Sequence, residues 1–316
     1  MNEEKYMSYS IFDEMYPRFK IAKPIRLIEL FAGIGAQAKA LERLGVPFKH
    51  WKVVEFDKHA VASYNAVHGT DFAPADIREI HAKNLEIVER ESYTYILTYS
   101  FPCQDLSLAG HRRGMKKGTG TRSGLLWEVE RILDECGEDL PHVLLMENVP
   151  QVIGKKNIND FQAWETKLES LGYQNYIEVL NAKNYGIPQN RERCFMVSIL
   201  GEYSYTFPKK RELKKKLKDM LEENVPSQYW LTDKQIQSIV HSTYESTRSS
   251  ISDEYDTHTH TLTARDYKGA KCVRIKEKTS KGFAEAKGGG RSIYKPSSSK
   301  ERSSTARNDS NIKNKP

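Results

Sequence analysis

The chain of 316 residues predicts an α/β protein: a doubly wound, mostly parallel sheet with an incomplete second domain. Three observations carry that expectation. From about residue 25 to 200, short apolar runs alternate with helix-like segments, the rhythm of repeated strand–helix–strand units. Several of these runs are apolar at nearly every position, as in strands covered on both faces. After Lys287 the chain holds seven serines and almost no large apolar side chain, so no core forms there.

The elements follow in order. Residues 1–24 form an N-terminal extension. "IRLIELFAG" predicts the first strand. "AQAKALERLG" predicts a helix with Ala38, Leu41 and Leu44 on one face and Gly45 as its stop. "WKVVEF" predicts a second strand and "DKHAVASYNAVHG" a second helix, again ended by Gly. "TYILTYS" and "HVLLMEN" predict buried strands, and "CFMVSIL" a late one. These place the main domain over 25–207. The segment "PKKRELKKKLKDMLEENVP" has Pro at both ends and predicts a charged linker helix over 208–225. Residues 226–287 look β-rich and begin a second unit, and 288–316 predict a disordered tail.

Composition excludes more than it assigns. No apolar run approaches the ~18 residues that a membrane span needs, and "MNEEKYMSYS" has no apolar signal core. The four cysteines, Cys103, Cys136, Cys194 and Cys272, lie far apart with no CxxC or metal-ligand spacing. The expectation is free thiols in a reducing cytoplasm, with no metal. The formal charge is +7, but the tail after Lys287 carries seven Lys/Arg against two acidic residues and so supplies +5 of it. Net charge therefore does not license nucleic-acid binding; a local patch has to.

Four stretches carry chemistry. In "ELFAGIGAQAKALERLG", Gly33, Ile34 and Gly35 fall between a strand and a helix, where glycine permits a tight turn and close approach of a ligand. The next strand ends at Glu55, a position from which a carboxylate can accept from ribose hydroxyls. Asp76 in "APADI" falls where a third strand–helix turn is expected. With no phosphate-binding Lys motif, a neutral or cationic nucleoside fits better than a nucleotide triphosphate. "FPCQDLS" sets Cys103 directly after Pro102 at a strand end. A reactive thiol needs access and an electropositive setting. The following "GHRRGMKKGTGTR" supplies Arg112, Arg113, Lys116, Lys117 and Arg122 among four glycines, a cationic lid for an anionic polymer. "LLMENVP" puts Glu147 and Asn148 at the end of a buried strand, where a carboxylate is costly unless paired or used. "PQNRERCFMV" sets Arg191 and Arg193 two apart on an extended segment, hence on one face.

Taken in order, "FAGIG", "FPCQDLS", "ENV" and "QNRER" resemble the motif series of cytosine-5 DNA methyltransferases of the bacterial and phage type. The resemblance covers about residues 25–200, and the segment to about 276 is compatible with the start of a target-recognition region. It implies the S-adenosylmethionine-dependent methyltransferase fold and S-adenosyl-L-methionine as cofactor. Phe31, Gly33, Ile34 and Gly35 would lie at the methionine end, Glu55 at the ribose, and Asp76 with Ile77 at the adenine. Phe56, Pro102 and Leu125 would pack around the adenosine or the target. It also implies double-stranded DNA as partner, a cytosine flipped out of the duplex, and DNA methylation of the restriction-modification kind. Gln104 and Ser107 would join the lid cations Arg112, Arg113, Lys116, Lys117 and Arg122 on the DNA. Cys103 would add to C6 and Glu147 engage N3. Asn148 would orient the loop, while Arg191 and Arg193 steady Glu147, the base oxygen or the backbone.

The sequence departs from the family pattern toward its end. The two closing motifs, one of them an Asn-Ser pair that completes the cofactor site, are not found; "NDSNI" at 308–312 lacks the apolar flanks. Residues 295–316, read one base out of register, are compatible with a string resembling family recognition regions, and Gly288-Gly289-Gly290 offers a slippage site. The expectation is an out-of-frame tail, with a second chain as one way of supplying the missing part. Three functions stay open here: an active DNA cytosine-5 methyltransferase, a catalytically incomplete remnant or one subunit of a split enzyme, and a tRNA cytosine-5 methyltransferase.

Overall fold

The structure, a computed structural model, describes residues 16–106 and 114–222, and beyond them only 226, 231, 232, 234, 251–253, 256–260 and 272–274. The chain divides into two compact units, Met1–Glu212 and Leu213–Pro316. In the first unit the elements are β1 (Ile25–Leu30), α1 (Ala36–Arg43), β2 (Phe48–Val54), α2 (Lys58–His68), β3 (Thr94–Tyr99), α3 (Leu126–Cys136), β4 (Val143–Asn148), α4 (Ile158–Ser170), β5 (Tyr173–Asn181) and β6 (Glu192–Leu200). Six strands form one sheet in the order β2-β1-β3-β4-β6-β5. The four strands β1 to β4 pair parallel, whereas β6 runs antiparallel to both β4 and β5.

Alternation along β1 explains the layering. Ile25 and Leu27 join one buried cluster with Ala38 of α1, while Ile28 and Leu30 join the other, built largely on α3 and α4. Every residue of β1 and β3 is buried, as their continuous apolar runs predict. The larger cluster centres on Tyr99 of β3 and Trp164 of α4, both fully buried. Their rings meet edge to face at 5.9 Å, and the indole N–H donates to the Tyr99 hydroxyl at 3.0 Å. Helix α2 starts because the Asp57 carboxylate accepts from the His59 and Ala60 amides, and it stops at Gly69 with φ +65°.

Four sequence expectations are corrected. Helix α1 ends at Arg43, so Leu44 leaves the buried face and is 75 % exposed. Strand β5, "YQNYIEVLN", was not anticipated: Gln174, Asn175 and Glu178 interrupt its apolar run, and its pairing to β6 is long-range. Asp76 does not follow a strand. It caps a 3-10 turn, Ile77–Glu79, within the loop after α2, and the neighbouring Ala75 amide donates to the Glu55 carbonyl at 2.8 Å. Over the described residues 208–222 no α-helix forms, only a 3-10 turn at Leu217–Met220. Crowded like charges (Lys209, Lys210 and Arg211, then Lys214, Lys215 and Lys216) disfavour a helix, and the Arg211 amide is drawn off to the Asn184 carbonyl at 2.7 Å.

The second unit is described only in part. Ile251–Asp253 pairs parallel with Cys272–Arg274, and the Leu217 amide donates to the Asp256 carbonyl at 3.2 Å. The tail at 288–316 lies outside the described residues. Among the described residues, no helix is long and apolar enough to cross a membrane.

Candidate active site

The parallel strands deliver their carboxyl ends to one side, where open α/β sheets place ligands. Phe31 follows β1, Glu55 follows β2, the segment Ser100–Gln104 follows β3, and Val149 follows β4; together they wall a cavity of about 740 Å³. Its size is that of a small-molecule site. Cys103, Glu147, Asn148, Arg191 and Arg193 all line it. So do Phe31, Glu55, Phe56, Asp76, Ile77, Pro102 and Leu125, together with Gln104 and Arg122.

Other expected residues stand apart from the wall. Gly33, Ile34 and Gly35 do not line the cavity. They form the turn beside it, and Gly33 reaches it through its amide, which donates to Glu55 Oε2 at 2.9 Å. Lys116 and Lys117 are also off the wall; Lys117 pairs with Glu130 at 2.5 Å and lies over the Trp127 ring. Ser107, Arg112 and Arg113 lie outside the described residues.

On the β2 side, Glu55 is fixed rather than free. Besides Gly33, its Oε1 accepts from the Asp57 amide at 2.9 Å. Phe56 is 73 % exposed, an aromatic ring on the wall. The Asp76 carboxylate accepts from the Arg78 amide at 3.0 Å and pairs with the Arg78 guanidinium, which holds its carboxyl below the usual range. The glycine turn is wedged from behind. A side-chain carbon at Gly35, where φ is +79°, would stand 2.3 Å from His68 Nε2 and 2.6 Å from a Tyr64 ring atom. His68 is held there by Glu42 at 2.7 Å, and the Tyr64 hydroxyl donates to buried Glu29 at 2.5 Å. Sequence reasoning missed this support, since isolated His and Tyr on a helix carry no signal of what they pack against.

On the β4 side, the antiparallel pairing sets Glu147 opposite Phe195 and Asn148 opposite Cys194. That register brings both guanidinium groups of the "RER" segment to one carboxylate. Arg193 Nε lies 2.9 Å from Glu147 Oε1, and Arg191 Nη2 lies 3.5 Å from the same oxygen. Burial and the neighbouring Arg193 lower the Arg191 pKa. Two cations around one carboxylate leave a local excess of positive charge on this side of the cavity. Asn148, 2 % exposed, donates from Nδ2 to the Phe101 carbonyl at 3.0 Å and accepts from the Val149 amide at 2.8 Å, so it ties the end of β4 to the turn before Cys103. Cys103 itself is partly exposed, while Cys136 and Cys194 are buried, with thiols pushed up to about 12 by desolvation. Of these three, only Cys103 lines the cavity.

The family model for C-5 cytosine-specific DNA methylase matches residues 25–316, a stretch that includes the tail. The chain belongs to this family. Among its relatives, the orphan methyltransferase M.SssI of Spiroplasma monobiae is 38% identical over 64% of this chain and 66% of that protein. The type II methyltransferase M2.ScrFI of Lactococcus lactis subsp. cremoris is 32% identical over 67% of this chain and 71% of that protein. The type II methyltransferase M.HhaI of Haemophilus parahaemolyticus is 34% identical over 62% and 57% respectively. The chain thus matches about two thirds or less of the length of the Spiroplasma and Haemophilus relatives. The Dnmt2 methyltransferase of S. pombe superposes with a TM-score of 0.61 at 20% identity, covering 80% of this chain and 76% of that one. The Entamoeba histolytica methyltransferase EhMeth gives 0.63 at 18% identity, covering 84% and 79%. These two establish the shared fold of this member of the family.

Proposed function

We propose that the chain is a DNA (cytosine-5)-methyltransferase that attacks a flipped-out cytosine through Cys103. The observation that carries this reading is the convergence of Cys103, Glu147, Arg191 and Arg193 on one cavity whose opposite wall holds Phe31, Glu55 and Phe56. That second wall fits S-adenosyl-L-methionine. An anchored carboxylate suits ribose hydroxyls, and an exposed ring suits a flat base. When bound, the cofactor supplies an electrophilic methyl group.

The protein's own part is to make C5 of cytosine nucleophilic. The Cys103 thiolate bonds to C6, and the ring electrons move toward N3, where Glu147, entering the step as the neutral acid, donates a proton that it takes back when the thiolate leaves. Arg193 fixes the Glu147 carboxyl, with Arg191 beside it. With the cofactor bound, C5 would accept its methyl group as the S–CH3 bond breaks to leave a neutral thioether. Loss of the C5 proton to solvent restores the double bond and breaks the C6–S bond, releasing the thiolate. Gln104 and Arg122, both lining the cavity with Arg122 Nη1 3.3 Å from Gln104 Oε1, would meet the strand from which the base is taken. Lys116, with Ser107, Arg112 and Arg113 outside the described residues, would supply contacts to the phosphates, and Lys117 would join them on release from Glu130.

Transfer of tritiated methyl groups from S-adenosyl-L-methionine tests the reading. Duplex DNA should be labelled by the wild-type chain and left unlabelled by Cys103→Ser. Label in tRNA and none in DNA would move the substrate to RNA. Label surviving in Cys103→Ser would refute the mechanism.

A further inference from the structure

The turn that carries Cys103 is held by residues that the proposed chemistry does not use. Three successive carbonyls of this turn have donors. Phe101 O accepts from Asn148, Pro102 O from the Ser123 hydroxyl at 2.6 Å, and Cys103 O from the Leu106 amide at 3.0 Å. Ser123 stands at the start of the 3-10 turn Ser123–Leu125 that leads into α3, and it is fully buried. Its hydroxyl also accepts from the Asp105 amide at 3.3 Å. Asp105, 1 % exposed, answers with its carboxylate: Oδ2 accepts from the Arg122 amide at 2.8 Å and the Ser123 amide at 3.4 Å. The Asp105 carbonyl takes the Gly114 amide at 3.0 Å, which closes the base of the segment between residues 106 and 114. Thr121 closes the same base from the other side, donating to the Gly114 carbonyl at 3.1 Å.

We propose that Ser123 and Asp105 are positioning residues for Cys103: a clasp that locks the nucleophile's turn onto the turn that carries Leu125. The inference rests on the reading of Cys103 as the nucleophile. Its physical content is that one hydroxyl and one carboxylate join two pieces of chain that both wall the cavity, the turn at Pro102–Gln104 and the segment at Thr121–Leu125. Covalent attack on a ring carbon tolerates little misplacement, since a shift of about 1 Å costs about 10²-fold. Ser123→Ala removes the donor to Pro102 O and the acceptor for the Asp105 amide without adding bulk. The cofactor wall on the β2 side is left intact.

The test uses the full chain and two kinds of readout. In Ser123→Ala and Asp105→Ala, kcat and the rate of covalent adduct formation with 5-fluorocytosine duplex should fall about 10- to 100-fold, with KM for S-adenosyl-L-methionine changed less than about threefold. Asp105→Asn keeps an acceptor oxygen for the Arg122 amide and should recover most of the loss. Independently of turnover, alkylation of Cys103 by iodoacetamide, followed on its own peptide by mass spectrometry, should rise at least about threefold in Ser123→Ala as the turn loosens. Alkylation within about twofold of wild type would overturn the clasp. A decline of cofactor affinity, kcat and melting temperature in step would also overturn it, as the mark of a merely structural role. If the wild-type chain neither methylates nor forms the adduct, the methyltransferase reading fails, and the alkylation comparison still decides the clasp.

Discussion

Replacing Asn148 by alanine probes the joint between the sheet and the nucleophile's turn. Asn148 is almost fully buried and makes two hydrogen bonds, to the Phe101 carbonyl at 3.0 Å and from the Val149 amide at 2.8 Å. Alanine leaves a buried carbonyl and a buried amide without these partners. Each such loss costs about 1–3 kcal/mol, so the pair should cost about 3 kcal/mol after partial relaxation. At about 2–4 °C per kcal/mol for a domain of this size, the melting temperature should drop by roughly 6–12 °C. Urea unfolding followed by tryptophan fluorescence gives the same quantity from the midpoint and slope. Asn148→Asp adds a control with a sign. It keeps the acceptor for Val149 but turns a carboxylate oxygen toward the Phe101 carbonyl. It should therefore be at least as destabilised as the alanine variant at pH 8 and recover part of the loss toward pH 5, as the carboxyl regains a proton. A loss below about 0.5 kcal/mol in Asn148→Ala would put that side chain among tolerant surface positions and refute the joint.

Three further outcomes follow from the same geometry. Gly35→Ala places a carbon 2.3 Å from His68 Nε2 at φ +79° and should sharply reduce folded yield, whereas Gly33→Ala meets open space and should cost only the left-handed backbone penalty of about 1–2 kcal/mol; melting temperatures compare the two. Burial raises the Glu29 pKa, so the folded state keeps a proton that the unfolded chain has released. Wild-type stability should thus fall as pH rises from the ordinary carboxylate value toward the raised one, and Glu29→Gln should flatten that slope in urea titrations. The Glu29→Gln variant should fold, because the Tyr64 hydroxyl, 2.7 Å from His50 Nδ1, can donate there instead. Trp164→Ala, which empties the fully buried centre of the larger cluster and frees the Tyr99 hydroxyl, should cost about 3–5 kcal/mol by denaturant unfolding.

The parallel half of the sheet was legible because its strands announce themselves: "IRLIEL" and "TYILTY" are buried throughout and close on identifiable turns. Cys103, Glu147 and the two arginines were legible as residue types in motifs, and the cavity gathers all of them. What escaped was everything set by partners far along the chain. Strand β5 looks polar until β6 covers it, and Asp76 reads as a strand end although it caps a turn. Leu44 looked buried by periodicity, but the helix stops one residue too soon. The hydroxyl of Ser123 and the carboxylate of Asp105 have no sequence signature, since their function lies in main-chain groups, some of them some twenty residues away. The charged segment after residue 208 shows a further limit: its composition is compatible with a helix, and its like charges and the Asn184 contact decide otherwise.

One experiment reaches the sulfur directly. The chain is incubated with S-adenosyl-L-methionine and duplex oligonucleotides containing 5-fluorocytosine, whose fluorine cannot leave as a proton, and the product is digested and weighed. A mass increase of one oligonucleotide on the peptide holding Cys103, absent from Cys103→Ser and slowed in Glu147→Gln, is the expected result. A folded, cofactor-binding chain that leaves that peptide unmodified on duplexes of every sequence context would contradict attack through this thiol.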